Sequence, residues 1–145
     1  MFSHEKIDAY QIGLEFVAWT CQLARTTKTM EQCIALADLA KLSHAIPKII
    51  VLGNREVLIE ERLRLFETAC DKVFESAATI DILYRCGEIA REQQQVGKKL
   101  LRLVLSMLKQ TIKVDCIASQ HQAAYRRDHI DSRTDSRNEV QGYEN

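Results

Sequence analysis

Five cations share one stretch of this chain with no acid among them: Lys98, Lys99, Arg102, Lys109 and Lys113, all between Gln93 and Val114. Lysines and arginines at helical spacing can lie along a nucleic-acid backbone, displacing its counterions without reading its bases. The same row is also what a solvated helix face looks like, since the helix dipole favours cations towards a C-terminal end. Other chemistry is absent at the level of residue spacing. A di-iron site in a helical bundle needs Glu-x-x-His pairs, and the chain has none. His4, His44, His121 and His129 are not placed with a cysteine at metal-ligand spacing. His44 reads as a packed or capping histidine. Cys21, Cys33, Cys70, Cys86 and Cys116 are odd in number and never form CxxC, which speaks against a disulfide framework or zinc finger. There is no Gly-rich phosphate loop and no nucleophile elbow. No catalytic residue, metal or cofactor is therefore expected, and the chain is read as not an enzyme.

The elements that carry these residues are helices. Apolar residues make up 46% of the 145 positions and charged residues 28%, with one Pro and five Gly, a balance that disfavours a turn-rich β fold. From about Glu5 to Arg25, Ile7, Tyr10, Leu14, Val17 and Cys21 step by three and four along one helix face. Phe16 and Trp19 join Tyr10 as core or interface anchors rather than a base-stacking platform. Thr29 and Gln32 have capping-box spacing, so a second helix should start near Met30 and turn Ile34, Ala37, Leu39, Ala40 and Ile46 inward. Pro47 predicts a kink or short break, and Gly53-Asn54 a left-handed C-terminal cap. In the third segment Ile59, Leu63, Phe66, Cys70, Val73, Ala77, Ile80 and Tyr84 form a heptad seam that Gly87 ends. A fourth helix runs from about Ile89 to at least Val114. Short connections favour an antiparallel up-down-up-down four-helix bundle over residues 1–118.

Helix four carries more apolar side chains than one core stripe needs. Seven of the nine residues Leu100 to Leu108 are apolar, and Leu101, Leu105 and Leu108 point to a second face. Ile49 and Ile50 on helix two pose the same problem. An oligomer interface is the economical explanation, and a central helix four covered by the others is the alternative. Charge placement fits association. Helix three, from Glu56 to Glu88, holds eight acids and four basic residues, against the all-basic stretch of helix four. A molecule with one acidic and one basic face can bind its own copy head to tail. Net charge is zero, so no global field draws nucleic acid or membrane.

Residues 119–145 are polar and read as a flexible tail, with helix four extending at most to about Tyr125. Ile34 to Leu52 is apolar but interrupted by Asp38, Lys41, His44, Pro47 and Lys48, too many for a spanning helix. With no signal peptide visible at Met1 to Lys6, a cytoplasmic protein is expected.

Four segments in order carry a family resemblance. They are His4 to Gln11 with Leu14 to Trp19; Ile46-Pro47 with Gly53-Asn54; Phe66, Ala69, Glu75, Ala77, Ala78, Ile80 and Asp81; and Gly97-Lys98-x-Leu100-Leu101 with Val104 and Met107-Leu108. Together they resemble the bacterial four-helix-bundle proteins of the S23, or 23S rRNA intervening-sequence, family. That resemblance implies a barrel-like homopentamer without enzymatic activity. A related branch comprises accessory proteins of diversity-generating retroelements, which implies nucleic acid and a reverse transcriptase as partners. The chain departs from the family pattern at Ile49 (Asn), Leu52 (Glu) and Cys70-Asp71-Lys72 (Arg-Gly-Ser). Leu52 and Cys70 would fit one exchange of an ion pair for apolar packing.

Overall fold

The computed structural model of this chain describes residues 3–26 and 34–140, which are helical apart from short connections, with no strand among them. A short 3-10 helix, Ser3–Lys6, precedes α1 (Asp8–Thr26), α2 (Ile34–Arg55), α3 (Ile59–Arg85) and α4 (Arg91–Val140). The chain divides into two compact units, Met1–Ile112 and Lys113–Asn145. The first is an all-α, four-helix unit. The expected capping box at Thr29 and Gln32, and the start of helix two near Met30, lie outside the described residues.

Antiparallel neighbours follow from which ends meet. Gly13, early in α1, faces Pro47 late in α2, and Gly53 at the end of α2 faces Phe66 early in α3. Asp81, late in α3, meets Lys98 early in α4, and Trp19, late in α1, meets Gly97. Between these helices lies one core that includes Phe16, Leu36, Leu39, Ile46, Ile50, Phe66, Val73, Ile80, Leu83, Leu101, Val104 and Leu108. Each such side chain adds about 1.5–3 kcal/mol when fully removed from water.

The periodicity is right but its phase differs in α1. The buried row is Ala9, Gly13, Phe16, Thr20 and Leu23, while the expected Tyr10, Val17 and Cys21 are only half-buried and Leu14 is exposed. Both rows keep steps of three and four. The less apolar row occupies the centre because Thr20 satisfies its own hydroxyl by donating to the Phe16 carbonyl at 3.0 Å. Ser76 does the same with the Lys72 carbonyl at 2.7 Å, and Ser43 with that of Ala40 at 2.9 Å. Buried hydroxyls thus occupy positions that a purely apolar pattern assigns elsewhere. In α3 the buried line runs through Phe66, Ala69, Cys70, Val73, Ser76, Ile80 and Leu83, leaving Ala77 at its edge and Tyr84 outside it. In α2, Ile34 is 80% exposed rather than inward, and Leu36 takes its place.

Helix ends are set by particular atoms. Gly87 adopts φ 74°, its N–H donates to the Tyr84 carbonyl at 3.0 Å, and the Glu88 N–H donates to that of Leu83 at 2.9 Å. This double bond pattern around a left-handed glycine closes α3. Gly53 is different. It keeps negative φ inside α2, which continues to Arg55, so it is no left-handed cap. A Cβ there would lie 2.8 Å from Phe66 Cε1, so close helix approach explains this glycine. Helix α2 runs on through Pro47 without a break.

Residues 113–140 belong to the second unit and are helical, where a polar tail was expected from 119. No Gly or Pro occurs between Lys98 and Gln141, and adding residues to an existing helix avoids the cost of nucleation. Within this unit Tyr125 and His129 bring their rings to 4.0 Å, one turn apart.

Candidate functional site

Helix α4 opens where the Ala90 N–H donates to Gln93 Oε1 at 2.8 Å, the reach-back half of a capping box. Its rotation is then set by the buried line Gly97, Leu101, Val104 and Leu108. That phase turns Lys99, Arg102 and Lys109 to solvent, and none of the three makes a hydrogen bond or ion pair among the described residues. They span ten residues, about 15 Å of helix. Lys113 is also exposed and falls in the second unit.

Lys98 stands apart from this row. Its Nζ donates to both Asp81 oxygens, at 2.9 and 3.0 Å, and Gln94 Nε2 donates to Oδ1 at 2.8 Å. These bonds, that of Lys98 foremost, hold the Asp81 carboxyl below the usual carboxylate range against a partial desolvation that pushes the other way. Lys98 is thereby committed to α3. The pair was missed in the sequence, yet a signal exists: Asp81 and Lys98 carry opposite charges on either side of the Gly87 turn, as partners across an antiparallel helix pair can. Lys109 lowers and burial raises the affinity of the Cys70 thiol for its proton, and burial wins. A buried thiol with a raised pKa is a packing residue, not a nucleophile.

The residues expected at an oligomer interface divide differently. Ile50, Leu101 and Leu108 are buried within a single chain, so they are core and not interface. Ile49 and Leu105 are half-buried against that core. Much of the α4 surplus is consumed because the helix has neighbours on both flanks: α3 through Asp81 and α1 through Trp19. Unspent apolar surface remains on several helices. Phe74 and Ile82 on α3 are 55% and 52% exposed, Leu14 on α1 is 39% exposed, and Leu103 on α4 remains outside. Leu52 is exposed on α2 while Cys70 is buried, so they do not replace a buried ion pair as a packed couple.

Shallow depressions mark the first unit. One, of about 200 Å³, lies between α1 and α2 and is lined by Tyr10, Leu14, Val17, His44, Pro47, Lys48 and Val51. Its α1 wall is the row expected to face the core. His44 donates through Nδ1 to the Ala40 carbonyl at 2.7 Å; it is exposed in the middle of α2, so it is neither a packed nor a capping residue. Another, of about 280 Å³, is formed by Trp19, Gln22, Leu23 and Thr26 with Glu92, Gln93 and Val96. Both are smaller than typical small-molecule sites. Among the described residues no group of three or more His, Cys, Asp or Glu could hold a metal ion, and no helix is long and apolar enough to cross a membrane.

No protein-family model matches this sequence, and no curated protein matches it. Among solved structures, the chain is similar to a protein of unknown function from the S23 ribosomal protein family of Bacteroides thetaiotaomicron. The TM-score is 0.67 at 15% identity, over 72% of this chain and 95% of that one. At that identity the likeness is one of fold, and it agrees with the all-helical bundle built here from the residues.

Proposed function

We propose that this chain is a non-enzymatic helical-bundle module that associates with copies of itself and offers the basic row of α4 to the phosphate backbone of RNA or DNA. One observation carries the binding half: Lys99, Arg102 and Lys109 are exposed on one side of α4 with no ion pair among the described residues to neutralise them. Such a row meets phosphates wherever they lie and discriminates little between sequences. Exposed Leu14, Phe74, Ile82 and Leu103 support self-association, as an assembly would cover them. The S23 resemblance supports a ring, with five subunits as its specific form, and Pro47 supports a kink within α2. Free thiols at Cys21, Cys70, Cys86 and Cys116 suit a reducing compartment, in keeping with work in the cytoplasm.

The experiment is retention of labelled RNA and DNA over a range of salt. The reading expects affinity to fall steeply as salt rises and to be lost in a Lys99→Glu/Arg102→Glu/Lys109→Glu variant. Absent or salt-independent retention contradicts it. The groove between α1 and α2 favours a second reading, a protein-interaction scaffold whose cations serve assembly alone. Loss of association without any nucleic-acid binding to lose would decide for that one.

A further inference from the structure

Helix α2 presents three cations, Lys41, Lys48 and Arg55, at intervals of seven residues. All three are exposed and none makes an ion pair or hydrogen bond among the described residues. Lys48 lines the shallow apolar groove together with Leu14, Val17, Pro47 and Val51. Helix α3 presents the counterpart on its outer side. Glu60 and Glu67 are seven residues apart, Asp71 lies between Glu67 and Phe74, and all four are exposed. The acids Glu60, Glu67 and Asp71 also have no ion pair or hydrogen bond among the described residues, whereas Glu61 and Glu75 already have Arg64 and Lys72. Phe74 and Ile82, each more than half exposed, are the apolar residues of this acidic side.

We infer that the acidic outer side of α3 in one copy docks into the α1–α2 groove of a second copy, with Phe74 in the groove and Glu67 opposite Lys48. This rests on the self-association proposed above and names the surfaces that perform it. Seven residues of helix rise about 10.5 Å, so Glu60 and Glu67 keep the spacing of two successive cations on α2. With Glu67 opposite Lys48, Glu60 falls level with Lys41 or Arg55, according to which way the helices run. An amphipathic helix laid in an apolar groove is a common mode of recognition, and opposite charges at its edges fix the partner. Groove and ridge are different patches of the same molecule, so the contact is head to tail and closes to a ring if the rotation permits. The α4 row then remains available to phosphate.

The test is the mass of the purified full chain in solution across a dilution series. Lys48→Glu and Glu67→Lys, each at an exposed position, should fold normally and raise the concentration for half-association by about tenfold or more, because each sets like charges face to face. The double variant Lys48→Glu/Glu67→Lys should regain wild-type association, which a folding defect would not do. Phe74→Asp should dissociate the assembly at any salt. If the wild type associates and both charge variants match it, or if only the Lys99→Glu/Arg102→Glu/Lys109→Glu variant dissociates, this docking surface is wrong while self-association stands. A wild type that is a single subunit at every concentration overturns both.

Discussion

The ring of Trp19 occupies the space where a Cβ on Gly97 would be: such an atom would lie 2.8 Å from Cζ2 and from Cζ3. The indole is held there from behind by Phe16, whose ring stacks on it at 5.6 Å with an interplanar angle of 18°. A glycine in mid-helix normally costs about 1 kcal/mol against alanine. Here that cost secures the closest approach between α1 and α4.

Gly97→Ala should accordingly destabilise the bundle, although alanine is the better helix former. Overpacking of this kind costs about 1–3 kcal/mol, which outweighs the propensity gain. Denaturant midpoints measure the balance, and tryptophan fluorescence reports whether the ring has moved. Trp19→Leu on top of Gly97→Ala should recover most of the loss by removing the obstructing ring.

Leu101→Ala and Leu108→Ala separate core from interface. Both residues are nearly inaccessible in the single chain, so each truncation should cost about 2–5 kcal/mol of folding stability. An interface residue would instead weaken association and leave a diluted subunit as stable as before. Unfolding curves below the association concentration distinguish the two.

The Asp81–Lys98 pair gives a pH signature of known sign. The carboxyl has a folded-state pKa below its unfolded value of about 3.9, so its contribution is complete above that value and is lost as pH falls through the folded one. The side chains of Lys98 and Asp81 are 29% and 47% exposed, which keeps the pair below about 1 kcal/mol. Asp81→Asn should therefore lower stability slightly at neutral pH and match the wild type once both states are protonated. A difference that grows on acidification would show that another group is responsible.

Phosphate contact should distinguish neighbours on α4. Replacing Lys99, Arg102 or Lys109 by Ala should each weaken nucleic-acid binding about equally on any sequence, reducing the salt slope by about one. Lys98→Ala should matter less, because its charge is already matched by Asp81. Salt titrations of the four variants check this.

These contrasts mark where residue patterns suffice and where they stop. Helix existence was legible up to about residue 118 but not in the polar stretch beyond it, and Gly87 was readable as a stop because only a left-handed residue closes α3 that way. The exposed cations of α4 were legible too, since the Leu101–Val104–Leu108 line fixes their phase. The centre of α1 was not. Tyr10, Leu14 and Val17 are the more apolar row, but Gly13 and a self-bonded Thr20 permit the closer approach and take the core. Gly53 and Gly97 look alike in sequence to caps or flexible points, and only the Phe66 and Trp19 rings reveal their use. Nor does composition tell which of α4's leucines is spent internally, because that depends on how many neighbours flank the helix.

The most direct measurement is the solution mass of the full chain at low and high salt, with and without added RNA. A multiple of 16.6 kDa that persists on modest dilution, with RNA co-migrating at low salt only, is the expected result. A species of 16.6 kDa at high concentration that ignores RNA at every salt would contradict both self-association and the phosphate-binding role of α4.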